Sequence, residues 1–340
     1  MKLSLPKAFS IIFFEFFIAI LFNFPLQALL AENSVIFLPE DCSKYGIWDA
    51  STSVCTLQQD LKGSVEIKSD NITLDCAYHQ IEGAGTGKGI LIEKRKGVTI
   101  QNCKITNFSL GISMVFSSGN NLFRNEVFGN NFGIEIFGSC PDFISRENTL
   151  TENHVYSNKT SGIIFRCSYS NKLIKNNIEN NGNTGLLLSG SDNFLRENSI
   201  SNHQYNFGVE RALWSKNFTN RQDIDTSNTI NGKPIYFLVN EENKVIDSSF
   251  NPGYIGLVNS QNITIRDITL SQNVQGIYFD HTTNSKIENV KLLNNSTGLD
   301  FHVSSNNLIS ESEISENLDG ILLWLSNENI ITKNFISLYK

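Results

Sequence analysis

The sequence predicts an all-β chain wound as a single-stranded, right-handed parallel β-helix of about 11–12 coils, each of roughly 22 residues. Two observations predict it. First, six sets of positions hold one 22-residue phase beyond residue 255. They are Gly276, Gly298 and Gly320; Ile277, Leu299 and Ile321; Phe279, Phe301 and Leu323; Ile265, Ile287, Ile309 and Ile331; Leu270, Leu292, Ile314 and Ile336; and Asn273, Asn295 and Asn317. Second, each period is made of short alternating runs separated by Asn, Ser and Gly, which marks strands with one buried face. One period suffices for three short strands and three bends. Stacking like positions about 4.8 Å apart puts Ile on Ile and Phe on Phe or Leu inside. At one corner Asn273, Asn295 and Asn317 would form a ladder of amide hydrogen bonds. The Gly ahead of each strand is expected to supply a left-handed bend. A leucine-rich horseshoe would need leucines at fixed offsets and a helical segment, and neither is present.

Taken from the start, residues 1–31 read as a secretory signal. Lys2 and Lys7 precede an apolar run from Phe9 to Phe24, and small residues follow at Ala28 and Ala31. The alternative, a retained anchor, would place Glu15 in the bilayer at a cost. No later segment is apolar enough to span. Residues 32–64 lack the repeat and read as an N-terminal cap closing the first turn, with Cys42–Cys55 as its staple. Residues 65–340 form the solenoid. Its Gly-led strands begin at Gly89, Gly111, Gly133, Gly162, Gly185 and Gly208, in steps of 22, 22, 29, 23 and 23. The long step holds Gly138 to Asp142, a loop insertion.

Cys76 and Cys103 occupy matching places one turn apart, so they either bond or stack as buried thiols. Cys140 and Cys167 follow equivalent strands and could form a third bridge. Segment 209–254 breaks the period and reads as an irregular insertion, a flap or a binding loop carrying Glu210, Arg211 and Trp214. The last turn stops short of another Gly-led strand. Either Leu338 and Tyr339 fold over that uncapped coil, or a partner or a second copy of the chain covers it.

Charge narrows the function. The chain carries −7, and losing residues 1–31 removes two Lys and one Glu to leave −8. Without basic runs this is a poor nucleic-acid binder. Six Cys in an exported chain point to disulfides, and the lack of Cys-x-x-Cys argues against zinc.

Asn71-Ile-Thr-Leu-Asp-Cys-Ala-Tyr-His-Gln-Ile-Glu-Gly-Ala-Gly-Thr-Gly-Lys-Gly-Ile90 resembles the opening turn of NosD-like periplasmic β-helix proteins. Cys55-Thr-Leu-Gln-Gln-Asp-Leu61 and Asp225-Thr-Ser-Asn-Thr-Ile-Asn-Gly-Lys-Pro-Ile-Tyr236 resemble their N-terminal region and irregular central turn. The resemblance covers nearly all of residues 55–340. It implies an extracytoplasmic solenoid of the kind found in carbohydrate-binding proteins and sugar hydrolases. The name-giving members assist copper-site maturation in nitrous oxide reductase.

Any site on a packed solenoid must lie outside it. Alternation places Tyr278 and Asp280 outward on one turn, Asp300 and His302 on the next, and Leu322 and Trp324 on the third. Aromatic rings beside carboxylates suit a sugar, whose C–H face stacks while its hydroxyls are bound. Tyr278, Trp324, Trp214 and Arg211 are the candidate binding residues. Asp280, Asp300, His302 and Asp319 are the candidate catalytic ones. The alternative is an ordinary solvated face with Asp280 and His302 paired across strands.

Asn317-Leu-Asp-Gly-Ile-Leu-Leu323 resembles one strand of polygalacturonase-like enzymes, but no Asp-Asp or Gly-His-Gly accompanies it. One Asp cannot divide acid and base work between two groups. The Asp-Pro-His of alginate epimerases and the calcium-binding Asp cluster of pectate lyases are also missing. For a metal, Asp280, His281 and His302 are the only close set. Alternation turns His281 away from Asp280, so no metal site and no cofactor is expected. Three readings result: a carbohydrate-interacting exported β-helix, polysaccharide-active if catalytic; an accessory of copper-enzyme maturation; and a structural envelope or surface protein.

Overall fold

In the computed structural model, residues 34–211 and 219–338 are described, and they form an almost wholly β structure. The signal reading of residues 1–31 lies outside them. Among the described residues no helix is long and apolar enough to cross a membrane.

Successive turns pair as parallel strands in the predicted register. Ile277 lies opposite Leu299, and Leu299 opposite Ile321, in one interior file. Phe279 and Phe301 stack with ring centroids 4.5 Å apart, nearly parallel. Gly-led strands and their equivalents form an eight-stranded stack before residue 211 and a five-strand stack after 232, so thirteen turns stand where 11–12 were expected. The cap region adds one of them. Val35–Leu38 pairs parallel with Ser64–Ile67, and only the short helix Cys42–Tyr45 and the antiparallel pair Gly46–Asp49 with Val54–Leu57 depart from the coil. Disulfides join Cys42 to Cys55, Cys76 to Cys103, and Cys140 to Cys167.

Amide ladders run up the inside of the corners. One passes Asn125, Asn153, Asn176, Asn198 and Asn228; in each step a backbone N–H and a side-chain Nδ2 donate to the next Oδ1 at 2.8–3.1 Å. Asn273, Asn295 and Asn317 continue the same device in the second stack. Burial leaves these backbone groups no water, so a side-chain amide on every turn is what satisfies them.

The Gly column has a different cause from the expected one. Gly111, Gly276 and Gly298 are not left-handed; a Cβ on each would lie 2.5–2.7 Å from the carbonyl oxygen of the next glycine in the file. Close turn-to-turn approach selects glycine there. The left-handed bends fall on other residues, such as Gln272, Asn294 and Glu316 at φ 57°, 55° and 57°.

The solenoid is not continuous. Thr229–Ile230 turns antiparallel onto Lys233–Pro234, and the core divides there into two clusters. Six strands define the junction: β1 (Tyr205–Glu210), β2 (Lys233–Val239), β3 (Tyr254–Val258), β4 (Gln275–Asp280), β5 (Thr297–His302) and β6 (Asp319–Trp324). The last five form one parallel sheet with both faces engaged. Ile255, Leu257, Ile277 and Phe279 line the second core, whereas Ile235, Phe237, Tyr254, Val258 and Tyr278 join the first. Phe207 meets Tyr254 edge-on at 4.9 Å. The outer face of the second stack is thus the lid on the open end of the first, hiding apolar interior that would otherwise face water. Segment 209–254, expected as an insertion, is where this lid begins. At the far end Leu318, Leu325, Ile330 and Phe335 are exposed.

Candidate functional site

The predicted outer columns exist in register: Tyr278, Asp300 and Leu322 in one, Asp280, His302 and Trp324 in the other. Their exposure differs from expectation. Tyr278 and Asp280 are fully buried, Asp300 and His302 retain 6% exposure, and only Leu322 and Trp324 are open to any extent. The cause is the docking of β1 along this face. Asn206 N–H donates to the Gln272 carbonyl at 2.6 Å and Val274 N–H to that of Phe207 at 2.9 Å. Gln275 then takes over from the backbone. Its Nε2 donates to the Val209 carbonyl at 2.8 Å, and its Oε1 accepts from Val209 N–H at 3.3 Å and Tyr254 Oη at 3.2 Å.

Beyond β1, Arg211 Nη1 donates to Asp280 Oδ1 at 2.9 Å and Asn220 N–H to Asp280 Oδ2 at 2.7 Å. His281 Nδ1 also lies 2.8 Å from Asp280 Oδ1. Alternation had turned His281 away; its left-handed backbone, φ 52°, ends the strand and brings the ring back. Asp280 is therefore the anchor of the junction, held by Arg211, Asn220 and His281, and its cross-strand neighbour His302 pairs with Asp300 instead, Nε2 to Oδ1 at 2.9 Å. Asp319 is exposed at the start of β6, opposite Thr297 rather than Asp300. Trp214 lies outside the described residues.

Where β1 ends, the outer faces of two sheets meet in an inner corner. One wall carries Glu210 with Arg166 nearby; the other carries Asp300, His302, Leu322 and Trp324. The Arg211 guanidinium covers the Trp324 ring at 4.8 Å, and His302 lies 5.7 Å from Tyr278 and 5.8 Å from Trp324, ring to ring. Tyr278 Oη and His302 Nδ1 are buried without a hydrogen-bond partner among the described residues, and Asp300 Oδ1 meets His302 off the line of a good hydrogen bond. Such atoms normally find a partner, and their gathering in one place makes this corner the candidate site. Crowding by protein raises the Glu210 carboxyl above the usual range, and the Asp300 charge adds to it against the pull of Arg166. Burial raises Tyr278 and Tyr254 well above an ordinary phenol, with Asp300 contributing to both, so both are neutral donors.

Two strand segments behind this corner carried a readable signal. Lys233-Pro-Ile-Tyr-Phe-Leu-Val239 and Tyr254-Ile-Gly-Leu-Val258 are apolar on both parities, which marks strands buried on both faces. The closure of Tyr278 and Asp280 follows from that. Gln275 and Asn220 had no such signal.

Among the described residues no three His, Cys, Asp or Glu gather closely enough to hold a metal ion. All six Cys are in disulfides, and Met114 is buried in the core.

Two family profiles match the chain. One, the right-handed β-helix region, matches residues 40–204 and 89–250; the other, described as periplasmic copper-binding protein (NosD), matches 217–340. No curated protein sequence matches. Among solved structures, the Dettilon tailspike protein is 13% identical with a TM-score of 0.46 over 88% of this chain and 60% of that one. The catalytic domain of a GH87 α-1,3-glucanase in complex with nigerose is 15% identical, TM-score 0.40, over 90% and 59%. The periplasmic alginate epimerase AlgG is 14% identical, TM-score 0.31, over 90% and 84%. The chain thus spans 59–60% of the tailspike and the glucanase domain.

Proposed function

We propose that this chain, which belongs to the right-handed β-helix family and is NosD-like in its second half, is an exported protein that binds carbohydrate in the corner between its two stacks. The observation that carries the reading is the partly open Trp324 ring beside the buried Asp300–His302 pair, with polar atoms there left short of partners. Trp324 and Leu322 offer an apolar platform for a sugar face. Glu210, Asp300 and His302 offer hydroxyl partners at its edge. Tyr278 and Asp280 serve from behind, as packing and anchor. The test is a glycan array with residues 32–340. Selective capture that Trp324→Ala weakens about tenfold supports the reading; no capture at all points to a structural envelope protein.

The NosD match supports a second reading, an accessory role in copper-enzyme maturation. The residues do not fit a resident copper centre: no thiolate is free, the one methionine after residue 31 is buried, and among the described residues no three candidate ligands converge. Under this reading the chain acts on a protein partner rather than on the metal. Copper titration followed by visible absorption checks it, and tight stoichiometric binding would overturn the misfit.

A further inference from the structure

The junction has a second concavity, at the other end of β1. A cleft of about 520 Å³ opens there, lined by Gln204 and Tyr205 on one side and by Gln272, Asn294, Glu316 and Leu318 on the other. Gln272, Asn294 and Glu316 are 22 residues apart, and all three stand at the same left-handed corner. Identical backbone geometry on successive turns points their side chains the same way. The result is a file of hydrogen-bonding groups climbing the solenoid axis at about 4.8 Å per step. Asn294 Nδ2 donates to Glu316 Oε2 at 3.0 Å, and Gln204 Nε2 donates to Tyr205 Oη at 3.3 Å. Leu318, 56% exposed, supplies an apolar floor at the outer end.

We propose that this cleft binds an extended neutral glycan lying along the solenoid axis, one sugar per turn, through Gln272, Asn294 and Glu316. The inference rests on the carbohydrate reading above but places a second site at the opposite end of β1. Three features select the ligand. A rise of one strand spacing per group is on the scale of one pyranose ring in an extended chain. Amide, carboxylate and hydroxyl groups match a run of sugar hydroxyls, each able to donate and accept. The single charge in the lining is the Glu316 carboxylate, with no cation among the lining residues, so a uronate or sulfated glycan is repelled.

The test uses residues 32–340 with neutral β-linked glucan and mannan hexasaccharides and a galacturonan hexasaccharide, read by calorimetry and ligand-observed NMR. Glycine at the left-handed corners keeps the backbone unstrained while removing the side chain. Asn294→Gly with Glu316→Gly is expected to weaken neutral-glycan binding at least tenfold, while Asn262→Gly, at an exposed left-handed corner outside both sites, leaves that binding in place. Preference for the neutral over the uronate hexasaccharide completes the expected result. Equal binding by the double glycine variant overturns the cleft site, as does binding abolished by Trp324→Ala alone; the latter leaves the corner site standing. Failure of every neutral hexasaccharide to bind also overturns it, whether or not the array finds another glycan.

Discussion

Arg211 and Asp280 meet at 2.9 Å with side chains 1% and 0% exposed, and this one pair fixes how the first stack of coils ends against the second. The pair is not isolated. Asn220 N–H and His281 Nδ1 also meet the carboxylate, and the guanidinium lies over Trp324. Asp280 therefore ties the segment after β1 to the wall that carries the proposed corner site.

Asp280→Ala removes the buried carboxylate that Arg211 meets, and removing one partner of a buried ion pair costs about 3–5 kcal/mol in comparable settings. Denaturant unfolding should show that loss. Replacing both residues with apolar ones of similar volume should recover most of it. A loss under about 1 kcal/mol in the single variant would mean that the junction opens to water.

The amide ladders are a second point of fragility. Asn153 donates to Asn176 Oδ1 at 3.0 Å and to the Leu122 carbonyl at 2.9 Å, and accepts from Asn125 N–H at 3.0 Å. Asn153→Ala takes the side-chain amide away from the Leu122 carbonyl and from Asn125 N–H, at about 1–3 kcal/mol for each buried group left unsatisfied, while the backbone N–H of residue 153 still reaches Asn176 Oδ1. The lowered denaturation midpoint should be larger than for the same change at exposed Asn262. Equal effects at the two sites would remove the ladder from the stability argument.

His203 stands where a ladder would place asparagine. Asn181 Nδ2 reaches its Nε2 at 3.0 Å, and Asn206 Oδ1 lies 3.1 Å from its Nδ1. Burial holds its pKa below the usual value, with the Asn206 hydrogen bond and Glu179 opposing. A histidine with a depressed folded pKa binds fewer protons folded than unfolded. Its contribution is intact above about pH 6.5 and is lost as pH falls through the lower folded value. Stability should therefore fall on acidification below about pH 6.5, and His203→Asn should flatten that slope. An unchanged slope in the variant would assign it to other groups.

Glu210 provides a spectroscopic check on the corner. Desolvation first, then the Asp300 charge, raise its carboxyl, with Arg166 opposing. Carbon-detected NMR titration should place Glu210 above the other exposed glutamates. Asp300→Asn should move it down toward them. If Asp300→Asn leaves the titration unmoved, the two carboxyls do not share the corner.

Sequence alone determined the coil. A 22-residue phase in Ile277, Leu299 and Ile321, with Asn273, Asn295 and Asn317 beside it, can be satisfied only by stacking like on like, so register and inner file were legible. It also paired the outer columns of Tyr278 with Asp300 and Asp280 with His302. Tertiary structure decided which of those columns meets water. Periodicity fixes neighbours one turn away, whereas Arg211 reaches Asp280 across 69 positions and Gln275 clasps Val209 across 66, contacts that no repeat encodes. An open core end had to be covered, and the outer face of the following sheet was the apolar surface at hand.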